Sequence, residues 1–248
     1  MTNYSQATGS GDFNIGALIS ESLAVLHRAL PRFLGLGLIP IIPLIISTLV
    51  IGVPAPGNPL PNAGAFIVLM LIYIVLLFVI QGGMIYGAFN ELRGQSFSVG
   101  DALSKGLARL LPLVGLSILI GLAVTIGLIL LVVPGVWLIC VLYAAVSVCV
   151  VEQRGVTESM SRSAELTSGF RWKILGLALI VGIAGWIVAA IIEYVAGGIG
   201  GPTFGALLAN LFQVYLISLG SVLSALVYYR LRSIKEGVDI DRLANVFD

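Results

Sequence analysis

Six unbroken apolar runs, each about as long as a bilayer is thick, constrain this chain more than any other feature. They lie at roughly Phe33–Val53, Ala65–Phe89, Leu110–Val133, Gly135–Val151, Ile174–Ala196 and Phe204–Tyr229. A helix crosses the hydrocarbon core with about 20 mostly apolar residues. A transmembrane β-barrel would instead show segments of about ten residues that alternate in polarity, and these runs do not alternate. Composition agrees: 58% of the 248 residues are hydrophobic and 10% are charged, whereas a soluble domain carries about 25% charged residues. Such a chain cannot cover a water-facing surface. The expected fold class is all-α, a polytopic membrane protein with six transmembrane helices. A net charge of +1 gives no basis for nucleic-acid binding.

Charge placement sets the orientation. Arg28 and Arg32 precede the first run, and Arg93, Lys105 and Arg109 lie between the second and third. Arg154, Arg162, Arg171 and Lys173 lie between the fourth and fifth, and Arg230, Arg232, Lys235 and Arg242 follow the sixth. These are all 13 basic residues; the intervening loops Pro54–Gly64, Pro134-Gly135 and Gly197–Thr203 hold none. By the positive-inside rule both termini are expected in the cytoplasm. Residues Met1–Asp12 are polar and lack a basic leader region, so no cleavable signal is expected and the first span should be retained. The Pro134-Gly135 pair predicts a tight turn that makes the third and fourth spans a hairpin. Pro40 and Pro43 predict a kink in the first span.

A short amphipathic segment precedes each hairpin. Ile15-Gly-Ala-Leu-Ile19-Ser-Glu-Ser-Leu23, Val99-Gly-Asp-Ala-Leu103-Ser-Lys-Gly-Leu107 and Val156-Thr-Glu-Ser-Met160-Ser-Arg-Ser-Ala164 align without gaps. Their first, fifth and ninth positions are apolar, and Ser20, Ser104 and Ser161 share the sixth. That spacing puts the apolar side chains on one helix face, suited to an elbow helix lying in the headgroup plane. Ser98 followed by Asp101 predicts a helix start there. The expected organisation is a polar tail at 1–12, one six-helix domain at 13–229 and a cytoplasmic tail at 230–248. Within the domain stand three candidate units, 13–89, 97–151 and 155–229, related by internal repetition or, on the competing reading, only by the commonness of short Ser-rich amphipathic helices. The tail past Glu236, with Val238, Leu243 and Val246 as apolar points, reads as a fourth surface helix or a docking segment.

The second half carries recognisable strings: Pro134-Gly-Val-Trp137, Glu158-Ser-Met-Ser-Arg162-Ser163, Glu165-Leu-Thr167, Trp172-Lys-Ile-Leu-Gly176, Tyr228-Tyr-Arg-Leu-Arg232, Lys235-Glu-Gly237 and Asp239. With these the chain resembles the membrane domain attached to some bacterial glycerophosphodiester phosphodiesterases, and also stand-alone six-helix bacterial membrane proteins. The likeness covers the second half in detail and the first half in outline. It departs at Arg230, where an acidic residue is expected. The resemblance implies a bacterial inner-membrane protein and no catalysis of its own. In the fused proteins the ester chemistry belongs to a separate soluble barrel, which needs about 250 residues that this chain has already committed to spans and elbows.

No catalytic, cofactor or metal residues are predicted. Ester hydrolysis needs a nucleophile or metal with a positioned base, and the one histidine, His27, reads as an interfacial residue beside Arg28. Cys140 and Cys149 are nine residues apart on one helix, about 13 Å of rise, so they cannot pair and read as buried thiols. Glu193 is the acidic residue that falls away from the cytoplasmic side; it reads as a headgroup-level carboxylate or as a proton- or cation-coupling group. Asn210, Gln213, Ser221, Ser224 and Tyr228 fall within an arc of about 80° on the sixth span at 100° per residue. They form either a packing seam, as small residues at Gly83–Gly87 and Gly182–Gly185 would, or the lining of a cavity. Arg171, Lys173, Arg230 and Arg232 flank the last two spans; they enforce topology or attract anionic lipid headgroups.

The expected function is therefore a non-enzymatic membrane scaffold, accessory subunit or lipid-associated protein. Its expected partners are membrane lipids, with a membrane-protein partner or a second copy of the chain, and no cofactor is expected. The alternative is a small transporter or channel for an uncharged solute or lipid. An intramembrane enzyme ranks last, because no convergent acid–base set is visible.

Overall fold

The computed structural model describes residues 13–51 and 62–237. All elements among them are α-helices: α1 (Ile15–Arg28), α2 (Leu30–Leu38), α3 (Ile41–Ile51), α4 (Ala63–Leu92), α5 (Val99–Ala108), α6 (Leu110–Leu130), α7 (Val132–Val141), α8 (Ala145–Val151), α9 (Val156–Thr167), α10 (Arg171–Gly200) and α11 (Pro202–Glu236). Six segments are long and apolar enough to cross a bilayer: Leu30–Ser47, Ala63–Leu92, Leu110–Leu130, Val132–Val151, Arg171–Gly200 and Thr203–Glu236. This is the architecture of a multi-pass membrane protein. The N-terminal tail, the 52–61 stretch and the C-terminal points at Val238, Leu243 and Val246 lie outside the described residues, as does Arg242.

Two corners differ from the sequence expectation. The turn between α6 and α7 sits at Leu131, in extended backbone (φ −163°, ψ 147°), and Pro134-Gly135 lies inside α7. Proline is tolerated there because a first-turn N–H has no helical acceptor to lose. Gly135 is needed instead for close approach: a Cβ on it would lie 2.4 Å from Leu128 Cγ and 2.7 Å from the Leu128 nitrogen. Likewise the glycine run at 197–200 is helical, and the turn shrinks to Gly201, whose φ of +86° suits glycine. The sixth helix also runs on to Glu236, so the segment read as a tail from residue 230 begins within α11.

Two spans are interrupted. The first breaks at Ile39-Pro40, between α2 and α3, where proline removes a helical donor. The fourth breaks at 142–144, between α7 and α8. There the buried Val141 carbonyl accepts from Ser163 Oγ (2.8 Å) and Thr167 Oγ1 (3.1 Å) of α9. A buried carbonyl left without partners is costly, so these two hydroxyls let the helix bend inside the protein.

The short helices α1, α5 and α9 share one burial register. Counting from Ile15, Val99 and Val156, the fourth and eighth residues are buried in all three: Leu18 and Ser22, Ala102 and Gly106, Ser159 and Ser163. The shared serines Ser20, Ser104 and Ser161 are exposed. The face packed on the protein is thus centred on small residues, with Leu18 of α1 as the exception, and the apolar first and fifth positions flank it, half-buried. Asn14 caps α1 by accepting from the Ala17 N–H (3.1 Å), and Ser98 caps α5 by accepting from Asp101 N–H (3.0 Å). At α9 the Glu158 carboxylate accepts from the Gly155 N–H (3.4 Å).

Helix α5 rests on α4 and touches α2, α9 rests on α8 and touches α6, and α1 rests on α11 and touches α10. Helices α5 and α9 therefore pack mainly on the span that precedes each, and α1 packs mainly on the last span. Phe97 meets Phe33 with ring centroids 5.2 Å apart, and Phe13 meets Phe170 at 5.5 Å. Helices α4, α8 and α11 touch one another at the centre. A further recurrence, Phe33-Leu-Gly-Leu36, Leu113-Val-Gly-Leu116 and Ile174-Leu-Gly-Leu177, places two fully buried side chains at the start of each first span.

Candidate functional site: buried charge at the helix ends

Packing brings the charged ends of the central helices into buried pairs. Glu152, just past α8, has a side chain only 7% exposed and meets three elements. It accepts from Arg162 Nε of α9 (3.2 Å) and from the Tyr228 hydroxyl of α11 (2.9 Å), and pairs with Arg154 (2.6 Å). Arg232 donates through Nη1 to the Tyr228 hydroxyl (2.9 Å) and through Nε to Glu236 (2.9 Å), and Arg162 also reaches Glu236. Burial alone would pull the Arg162 pKa down, but the Glu236 and Glu152 carboxylates outweigh it and hold the pKa above its ordinary value. Elsewhere Arg230 donates to both oxygens of Glu21 on α1 (3.1 Å each), and Arg32 pairs with Glu91 at the end of α4 (2.9 Å).

Two of the four basic residues proposed for headgroups are therefore engaged with protein carboxylates: Arg230 with Glu21 and Arg232 with Glu236. Their side chains are 12% and 18% exposed. Arg171 and Lys173 stand in a different setting, in the first turn of α10. The Arg171 guanidinium lies 4.7 Å from the centroid of Trp137 and donates through Nη2 to the Ala164 carbonyl (3.4 Å). Lys173 Nζ lies 6.0 Å from the Phe170 ring.

The polar stripe of the sixth span divides into two. Ser224 shares a hydrogen bond with Ser147 of α8 (2.9 Å), Ser221 contacts Met84 Sδ of α4 (3.7 Å), and Tyr228 is fully buried against Phe89. These three form a seam between the central helices. Asn210 and Gln213 are exposed two turns or more away, and Asn210 donates to the Ala206 carbonyl of its own helix (2.8 Å). The structure does not bring the five residues into one cavity. Glu193 is exposed near the far end of α10 and borders a shallow depression with Tyr194 and Gly198. His27 is exposed and lies 3.3 Å from the Tyr215 hydroxyl.

The residues that sequence reading missed are the partners: Glu21, Glu91, Ser163 and Thr167. Glu91, two residues past the end of an apolar run, carried a local signal, and Glu21, Ser163 and Thr167 carried none. Chemically the arrangement neutralises each buried carboxylate with one or more guanidinium groups, which suits joining helices rather than moving protons. Among the described residues no three His, Cys, Asp or Glu side chains come together as metal ligands would. Comparison of this chain with family models, with curated proteins and with solved structures finds no match.

Proposed function

We propose that this chain is a non-enzymatic scaffold or lipid-associated protein of the bacterial inner membrane, built from three hairpins, each preceded by a cytoplasmic elbow helix. The observation that carries this reading is the use made of its charge. Glu21, Glu91 and Glu152 are each paired with a guanidinium across a helix–helix contact, a use of charge that joins helices to one another. The shared burial register of α1, α5 and α9 supports descent from one repeated unit. The placement of Lys and Arg supports cytoplasmic termini. The likeness to the membrane domain of glycerophosphodiester phosphodiesterases belongs to the same reading, in which that domain organises a membrane face for another activity.

The test is gentle purification followed by mass spectrometry of co-purifying lipids and proteins. A stoichiometric protein or an enriched lipid class is the expected result. Reconstituted liposomes that pass uncharged solutes or scramble lipid, with no retained partner or lipid, would replace the scaffold by the transport reading.

A further inference from the structure

A cleft of about 220 Å³ opens between α7 and α10. Val132, Val133, Val136 and Trp137 line it from α7, and Arg171, Trp172 and Leu175 line it from α10. Arg171 is the one charged residue in the lining, and among the described residues no carboxylate pairs with it. Its Nη2 reaches the Ala164 carbonyl, its plane covers Trp137, and its Nε is buried without any hydrogen-bond partner. A buried, unmatched guanidinium N–H is expensive, so the protein only part-satisfies this group. In contrast, Arg32, Arg154, Arg162, Arg230 and Arg232 all have carboxylate partners.

We infer that this cleft binds one anionic phospholipid, its phosphate against Arg171 and one acyl chain along the valine wall. Three features select that occupant. Phosphate oxygens match a guanidinium bidentately, as a charge-assisted pair. Phe170 gives the first turn of α10 no side-chain cap, so the positive end of a 30-residue helix and Lys173 add attraction for an anion. The wall above is apolar and continues onto the exposed Leu179 and Ile183 of α10, so a chain leaving the cleft stays in hydrocarbon. Trp137 and Trp172 stand edge to face at the cleft, with centroids 6.3 Å apart. A zwitterionic lipid would bring a third cation beside those of Arg171 and Lys173.

This inference rests on the lipid-associated reading and names the lipid class and its place. The test is native mass spectrometry of the full chain in detergent, titrated with palmitoyl-oleoyl phosphatidylglycerol and, separately, with the phosphatidylcholine of the same chains. One phosphatidylglycerol is expected to bind in preference. Arg171→Gln and Val136→Trp, which fills the groove without changing charge, should each weaken it about tenfold, the scale of one charge-assisted contact. Lys105→Gln, a basic residue away from the cleft, should not. Thermal unfolding of each variant shows that it is folded, and Val136→Trp keeps the test open if Arg171→Gln does not fold. Equal binding by wild type and both variants overturns the site, as does competition by glycerol phosphate at the lipid's own concentration. If no lipid of any class is retained by the wild type, the broader lipid-associated reading fails, an outcome distinct from lipid bound elsewhere.

Discussion

A Cβ placed on Gly106 would lie 2.0 Å from the carbonyl oxygen of Val79. Helices α4 and α5 thus touch backbone to backbone, with Gly83 similarly pressed on the Ala102 carbonyl (2.7 Å). The obstructing atoms are main chain, so no side-chain rotation relieves the clash. Gly106→Ala should therefore destabilise the protein by about 1–3 kcal/mol, the scale of overpacking. Gly182→Ala is the contrast, since nothing lies within 4 Å of its added methyl. There the gain in helix propensity, up to about 1 kcal/mol, should leave the midpoint unchanged or raised. Thermal unfolding in one detergent reads both, and equal midpoints for the two variants would contradict the packing described.

The Glu152 carboxylate draws α8, α9 and α11 together. Removing it with Glu152→Ala leaves Arg162 Nε and the Tyr228 hydroxyl without this acceptor in a buried setting, although Arg162 keeps Glu236. Loss of one member of a buried pair costs about 3–5 kcal/mol. Tyr228→Phe deletes the hydroxyl's two hydrogen bonds with charged groups, to Glu152 and from Arg232, at about 1.5–3 kcal/mol each, while keeping the ring against Phe89. The double variant should be less destabilised than the sum, because the two changes remove a shared contact. Strict additivity in denaturation midpoints would show that the two groups do not interact.

How much of this was legible in sequence depends on the range of the interaction. The six spans and the cap at Ser98 are local, set by continuous apolar composition and by a side chain three residues from its donor, and both stand in the structure. The corner at Leu131 was missed because Pro134-Gly135 reads as a turn, while its actual use is a helix crossing defined by Leu128. The packed face of the short helices was not legible for a related reason. Hydropathy favours Ile15, Ile19 and Leu23, whereas close approach favours Ser159, Ser163 and Gly106, and Ser159 resolves its polarity by donating to the Gly155 carbonyl (2.7 Å). The partner of Arg230 lies 209 residues away, and no spacing rule joins them. Arg230 and Arg232 therefore looked like a lipid-facing rim until packing supplied their carboxylates.

The Arg230–Glu21 pair makes the docking of α1 on α11 testable. It connects α11 to the N-terminal helix through two hydrogen bonds of 3.1 Å. Arg230→Glu places two carboxylates together, and Glu21→Arg places two guanidinium groups together; each should lower the unfolding midpoint. Combining them restores opposite charges and should recover part of the loss, with a coupling of about 0.5–3 kcal/mol. A double variant no more stable than the worse single one would show that α1 does not dock on α11 in the folded protein.

The orientation proposed from the basic loops has a direct chemical readout. Cys140 and Cys149 are buried, 3% and 0% exposed, so a membrane-impermeant maleimide should leave the wild-type protein unlabelled. Gly198 and Ser168 are both exposed and stand near opposite ends of α10. Since α10 spans 30 residues, about 45 Å at 1.5 Å per residue, these two positions should lie on opposite faces of the bilayer. Gly198→Cys should be labelled in intact spheroplasts. Ser168→Cys, beside Arg171 and Lys173, should be labelled only after permeabilisation, because juxtamembrane cations are held on the cytoplasmic side. The reverse pattern would invert the topology and place the short helices on the outer face, and labelling of both in intact spheroplasts would mean that α10 does not cross the membrane.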